Sequence, residues 1–442
     1  MAERSKGRFV RDSASVLFAQ IGVMVLGVGV SVVTARALGP HDRGLFQLLV
    51  LLPTTLSNFV KLGIPQANVY FMRRRGVSAA DIATNSLWLS LVLGGGLAVV
   101  CWVWRDALVV PFLRQSPPAA LPPTLALLPF VVLQTFFLGI IQAQERFGEY
   151  NLQQIVPTAL TLVGMPIALL WLKTGLLGAV VVQTLVQAGV VVWLALRVHR
   201  VAPFGLRPHP ELLRGMLGFG GKSYLQTLAS TLHFRIDQYM IGYLLDPTQV
   251  GLYAIAVNLT NLILKVPDAA GTVLFPRLAG ASDREAHAQT SAVCRHTLFV
   301  TGLAALAYLC FGKLAIGVLY GEAYAPALRP MMLMLPGIVM LSLYLLLSRN
   351  FTSRNRQEVN IVAAGTALAI NVGLNLVLIP RFGISGAAVS TAVSYSVAAL
   401  VLLVVFVRDS GFTIGETLLV RRADLGGYRR LAARARGALA SQ

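Results

Sequence analysis

The chain has 442 residues, 56% hydrophobic and only 12% charged, with a mean hydropathy of +0.70 and a net charge of +19. About a quarter of a soluble domain is charged, so this composition excludes one; apolar runs of about 20 residues indicate membrane-spanning helices. An outer-membrane barrel is excluded by the lack of roughly 10-residue alternating segments. A nucleic-acid role is excluded because the basic residues fall between apolar runs, where they set topology and attract anionic lipid.

Residues 1–11 are basic, and the apolar run 13–38 that follows is long enough to span and shows no small-residue cleavage site, so the first helix is expected to be retained. Twelve spans are predicted in chain order. The first six cover 12–38, 44–71, 80–105, 120–143, 150–172 and 175–198. The second six cover 215–244, 248–275, 291–319, 325–348, 357–380 and 383–408. The predicted fold is therefore an all-α polytopic membrane protein of twelve transmembrane helices in two pseudo-symmetric six-helix bundles. The bundles are 1–198 and 215–408, joined by a cytoplasmic linker, 199–214, and followed by a basic tail, 409–442. The tail lies beyond the completed repeat and is expected to be dispensable for folding.

An internal repeat supports this division. Pro40, Gly44 and Phe46 match Pro247, Gly251 and Tyr253 at a spacing of 207, and Lys173–Ala179 matches Arg381–Ala387 at a spacing of 208. Six spans per half is even, so the repeats are parallel and related by an axis along the membrane normal. Both termini then share one side. That side holds 25 basic residues against eight opposite, which predicts cytoplasmic termini by the positive-inside rule.

Ionisable residues inside apolar spans are costly and mark pathways or pairs. In the seventh span Lys222, Gln226, Ser230, His233 and Asp237 recur at helical steps and would form one polar stripe. Such a stripe suits a cavity between the halves, or else a polar seam between helices. Arg235 lies off it and could pair with Asp237. Lys61 and Lys265 stand near corresponding ends of spans two and eight, each followed by a proline, where a lysine can also snorkel to the interface. Asp237 is the candidate ion-coupling carboxylate.

Catalytic signatures are lacking. Gly94-Gly95-Gly96 has no strand before it, and Gly221-Lys222-Ser223 lacks the leading glycine of a phosphate loop, which Met216 replaces. The six histidines and the cysteines Cys101, Cys294 and Cys310 show no ligand spacing. The sequence therefore predicts no enzyme, no cofactor and no metal.

The stretches ARALGPHDRGLFQL, LGIPQANVYFMRR, RIDQYMIGYLLDPTQVGLYAIAVNLTN, VPDAAGTVLFPRLA and LNLVLIPRFGISGAAVSTAVSY resemble bacterial oligosaccharide flippases. These are Wzx-type polysaccharide biosynthesis transporters of the multidrug/oligosaccharidyl-lipid/polysaccharide exporter superfamily. The resemblance implies a V-shaped cavity, alternating access and an inner-membrane location. It also implies a polyprenyl-diphosphate-linked oligosaccharide as substrate, with polysaccharide assembly machinery as a partner. Drug antiporters of the superfamily favour acidic cavities. Here Lys61, Lys222, Arg235 and Lys265 outnumber Asp237, which suits a diphosphate. An ion-coupled antiporter and a non-transporting scaffold are the alternatives, and a proton or sodium gradient could supply the drive.

Overall fold

The computed structural model describes residues 2–113, 115–144, 146–279, 282–354 and 356–419. These are mostly helical, with short turns and the linker between helices and no strand among the described residues. Nine of the described helical stretches are long and apolar enough to cross a membrane. Two of the nine are pairs. Ala2–Val60 turns at Gly39, with φ 70°, and Gln357–Ser410 turns at Gly383, with φ 58°, both backbone states that glycine adopts without strain. With the bent Pro210–His233 and Ile236–Leu244 segment counted as one leg, the described helices supply twelve membrane-length legs. The chain is a multi-pass membrane protein.

The sides of the legs fit this solvent. Leu170, Leu309, Phe311 and Leu314 are exposed, as lipid allows. Trp102, Trp104 and Trp171 are exposed at the ends of two legs that run in the same direction. That places them on the same side as the Gly39 turn, the belt position that indole rings favour.

By packing, the helices form two compact units, each discontinuous in sequence. One holds the residues up to Asn258 with Lys313–Met331 and Asn371–Ser390; the other holds Leu259–Gly312, Met332–Ile370 and the residues from Thr391. In the first unit the matched turns of the two halves touch backbone to backbone. A Cβ on Gly44 would collide with the Pro247 carbonyl, and one on Gly251 with the Pro40 carbonyl. The contact is reciprocal, each glycine meeting the carbonyl of the other turn's proline. Small residues make such an approach possible where lipid offers no hydrophobic drive between helices. In the other matched motif the two glycines share a positive φ, 60° at Gly175 and 58° at Gly383. At the far end of the leg that begins at Gly44, Gly63 meets Gly220 in a second glycine contact.

Three legs are broken where the sequence predicts continuous spans. Leu62 and Gly63 take φ of 45° and 69°, dividing 44–71 before Ile64–Arg74. The span 248–275 divides into Pro247–Ile263 and Lys265–Ala279. The span 215–244 divides at Phe234-Arg235, where Arg235 N–H donates to Leu232 O at 3.1 Å, a three-residue bond in place of the α-helical one. Gly94, in the glycine run, sits in a π-helical turn whose tight packing against Pro129 leaves no room for a Cβ.

The linker is strapped to the helix Ala79–Leu89. Asn85 exchanges two bonds with the His209 backbone, at 2.8 and 3.2 Å, and Thr84 Oγ1 accepts from Gly205 N–H at 3.0 Å. The start of the tail is also packed, in the second unit. Thr413 and Glu416 form a capping box for Ile414–Leu418, Arg295 donates to Glu416 O at 2.6 Å, and Thr417 is fully buried. The tail from 420 onward lies outside the described residues; by sequence its 421–436 stretch suits either an interfacial helix on the inner leaflet or a frayed tail that only reinforces orientation.

Two outcomes follow for purified protein in neutral detergent. Gly251→Ala must push the contacting backbones apart and should lower the thermal unfolding midpoint, at a cost of about 1–3 kcal/mol, whereas Gly22→Ala, with nothing within 4 Å of its Cβ position, should not. Equal shifts would remove the contact's importance. Truncation after Leu419 should leave the midpoint unchanged, whereas truncation after Asp409 should lower it by stripping the cover from Arg295; indistinguishable midpoints would show the docked segment to be inert.

Candidate functional site

The break in the seventh leg builds the centre of the site. Asp237 falls in the first turn of Ile236–Leu244, where a carboxylate complements the helix dipole. It is 4% exposed. Its Oδ1 accepts from the Gln238 N–H at 2.8 Å and its Oδ2 from the Tyr253 hydroxyl at 2.6 Å. Tyr253 is itself fully buried. These donors, one from its own helix and one from the leg Pro247–Ile263, hold the carboxylate in place.

A polar chain continues from there. Gln238 Oε1 accepts from Gln47 Nε2 at 3.0 Å, and Gln47 Oε1 accepts from Arg43 Nη1 at 3.2 Å. These residues join the Gly44 leg of the first half to the broken leg of the second. Glutamine suits this bridge because its amide donates and accepts at once.

The remaining candidates separate. His233 is buried at the end of Pro210–His233, and Arg235 is exposed at the break. Because the helix is interrupted between them, His233 and Asp237 do not continue a single helical stripe. Their four-residue step crosses the Arg235 turn. The side chains of Lys222, Gln226 and Ser230 lie outside those described. Lys61 is half-buried at the Leu62-Gly63 break, and its Nζ donates to Asn58 Oδ1 at 3.0 Å. Lys265 is exposed at the start of Lys265–Ala279 and belongs to the other packing unit. Both lysines stand at breaks, where the helix ladder lapses. Among the described residues no cluster of His, Cys, Asp and Glu could hold a metal.

Sequence reasoning missed Arg43, Gln47, Gln238 and Tyr253. Arg43 reads as one more charge beside a turn, yet it is 5% exposed. The available signal was the four-residue step from Arg43 to Gln47, which puts both on one helix face.

With this geometry in view, likenesses to known proteins can be placed. A protein of Haloferax volcanii described as a probable low-salt glycan biosynthesis flippase is 24% identical over 264 residues, 59% of this chain and 55% of that protein. The chain thus matches little more than half the length of that curated relative. Two solved structures share the fold. The lipid II flippase MurJ in an inward closed conformation superposes with a TM-score of 0.74 at 13% identity, covering 89% of each chain. An inward-facing multidrug resistance MATE family transporter of the MOP superfamily gives 0.71 at 18% identity, covering 88% of this chain and 95% of that one. Residues 9–282 match the family described as polysaccharide biosynthesis protein. The chain belongs to that polysaccharide biosynthesis protein family.

Proposed function

We propose that this protein flips a polyprenyl-diphosphate-linked oligosaccharide from the cytoplasmic to the outer leaflet of the plasma membrane, for surface polysaccharide biosynthesis. The family match over 9–282 carries this reading. It is supported by the fold shared with a lipid II flippase and by a relative described as a glycan biosynthesis flippase. We assign the protein no enzymatic activity and no cofactor.

The described geometry suits alternating access. The leg starting at Gly44 is held to the second half by glycine contacts at both ends, Gly44 with Gly251 and Gly63 with Gly220. They stand 19 residues apart along a leg that is helical to Val60, about 28 Å at helical rise, close to the thickness of a bilayer's hydrocarbon core. Transport would loosen one contact while the other stays closed. The diphosphate loses its water in crossing, and fixed cations offset that desolvation while the prenyl tail stays in lipid. Lys61, Lys222 and Arg235 are the cations assigned to this in the first unit, and Lys265 contributes from its own. The glycan's partners would include polysaccharide assembly machinery.

The second reading is an ion-coupled antiporter of small molecules. Asp237 favours it: a buried carboxylate held by a tyrosine is a fit acceptor for a proton or sodium ion. The two readings also combine, with Asp237 coupling glycan-lipid movement to an ion gradient.

Orientation is tested by single cysteines in a cysteine-free variant. Positions Ser116 and Thr248 should label with an impermeant thiol reagent from outside and Pro208 should not; the opposite pattern would reverse the proposed direction. The cation role is tested by glycan-lipid translocation at matched membrane abundance. Lys222→Ala should lower the rate, Lys222→Glu should lower it further and Lys222→Arg should retain most of it. Lys61→Ala and Lys265→Ala should give smaller losses. Full activity in Lys222→Glu would move the site away from the seventh leg.

A further inference from the structure

Arg43 is a buried cation for which the described residues supply no counter-charge. It begins the leg after the Gly39 turn and is 5% exposed. Its Nη1 donates to Gln47 Oε1 at 3.2 Å, its Cζ lies 5.6 Å from the centre of the Phe46 ring, and its Nε has no acceptor. Among the described residues no carboxylate pairs with it. Its neighbour Asp42 turns instead to His41 Nδ1 at 3.1 Å. The titratable groups that Arg43 faces are Tyr320 and Tyr324. Both are buried and their hydroxyls donate elsewhere, Tyr320 to Ser31 Oγ at 3.4 Å and Tyr324 to Ala35 O at 2.9 Å.

A guanidinium carries five N–H donors and stays charged in proteins. Burying it without an opposite charge is strongly unfavourable, more so than burying a neutral side chain. Gln47 offers only an amide dipole, and the carboxylate at the far end of the glutamine bridge, Asp237, is already held by Tyr253 and the Gln238 N–H. The planar fork of Arg43 is thus prepared for an acceptor that arrives from outside, and its geometry matches the two oxygens of an oxyanion.

We propose that Arg43 is a phosphoryl-binding site, with Gln47 Oε1 as the acceptor that gives way when the anion binds. The sites already assigned to Lys61 and Lys222 do not contain it. Along the same leg Arg43 stands 18 residues from Lys61, about 27 Å. In the orientation proposed above, this is the outer end of the leg. If the flippase reading holds, on which this assignment of the ligand's source rests, Arg43 receives the diphosphate as it reaches the leaflet of delivery. An anionic phospholipid headgroup or free phosphate offers the same chemistry from another source.

The test uses the full chain in neutral detergent and reads thermal unfolding midpoints against ligand concentration. The probes are farnesyl diphosphate, inorganic phosphate and phosphatidylglycerol, each at matched ionic strength. The parent midpoint should rise with farnesyl diphosphate, because a ligand that binds only the folded state stabilises it. Arg43→Gln should weaken the apparent affinity at least ten-fold, and Arg43→Lys by less. Without anion, Arg43→Gln should be as stable as the parent or more so, since it removes an uncompensated charge. A shift with inorganic phosphate or phosphatidylglycerol but none with farnesyl diphosphate would keep the site and reassign its source. Three results would overturn the proposal: no shift in the parent with any probe, an undiminished shift in Arg43→Gln, or an anion-free midpoint for Arg43→Gln well below the parent's. Glycan-lipid translocation in proteoliposomes is scored separately. An Arg43-dependent shift without translocation would leave the phosphoryl site standing and remove the flippase reading.

Discussion

Two turns of the chain, one in each half, meet through glycines that leave no room for side chains, and the arrangement of the first packing unit depends on that meeting. Gly44 lies against the Pro247 carbonyl and Gly251 against the Pro40 carbonyl. In a bilayer, helix association has little hydrophobic drive, so close backbone packing carries more of it. The leg that starts at Gly44 is buried along much of its length through Leu45, Leu48, Leu49 and Leu52, and it closes on Gly63 against Gly220. The glutamine bridge from Gln47 to Gln238 crosses the same seam. A shift at the glycine pair is therefore felt by the buried polar chain only one helical turn away.

The buried polar groups show how the fold tolerates charge in an apolar setting. Asp237 is stabilised where a helix begins, and that beginning exists because the seventh leg breaks at Arg235. Lys61 is carried at a break as well and finds Asn58 one turn back. Broken helices are acceptable at membrane depth where protein or a polar cavity covers the freed backbone. Breaks and ionisable residues therefore coincide in this chain for a single reason: each makes the other less costly.

Much of this was legible in the sequence, and what was hidden was hidden for physical reasons. Long apolar runs fix the legs, and the repeated Pro40-Gly44 and Pro247-Gly251 spacing marks the turns that meet. The breaks at Leu62-Gly63, Phe234-Arg235 and Leu264 were not legible, because one or two residues leaving helical geometry barely alter hydropathy. The continuous stripe drawn through His233 and Asp237 failed at such a break. The burial of Arg43 was hidden too, since a basic residue beside a turn looks alike whether it faces water or the Tyr320–Tyr324 side of the fold. The packed start of the tail was concealed by its basic continuation, although Thr413 and Glu416 already stood at capping-box spacing.

The turn at Gly39 also bears on how the chain enters the membrane. With Gly39 as its one non-helical residue and Pro40 behind it, the turn has no polar loop to be threaded across as a separate segment. The two legs it joins are thus suited to partition into lipid together, as a helical hairpin leaving the translocon in one event. In the proposed orientation Arg36 and Arg43 flank the bend and travel with it. Their guanidinium groups would be least costly during that passage if each leg shielded the other, and Arg36 later finds the Leu319 carbonyl at 2.9 Å only once the ninth leg has been made. About 280 residues of chain thus separate that arginine from its acceptor in the order of synthesis.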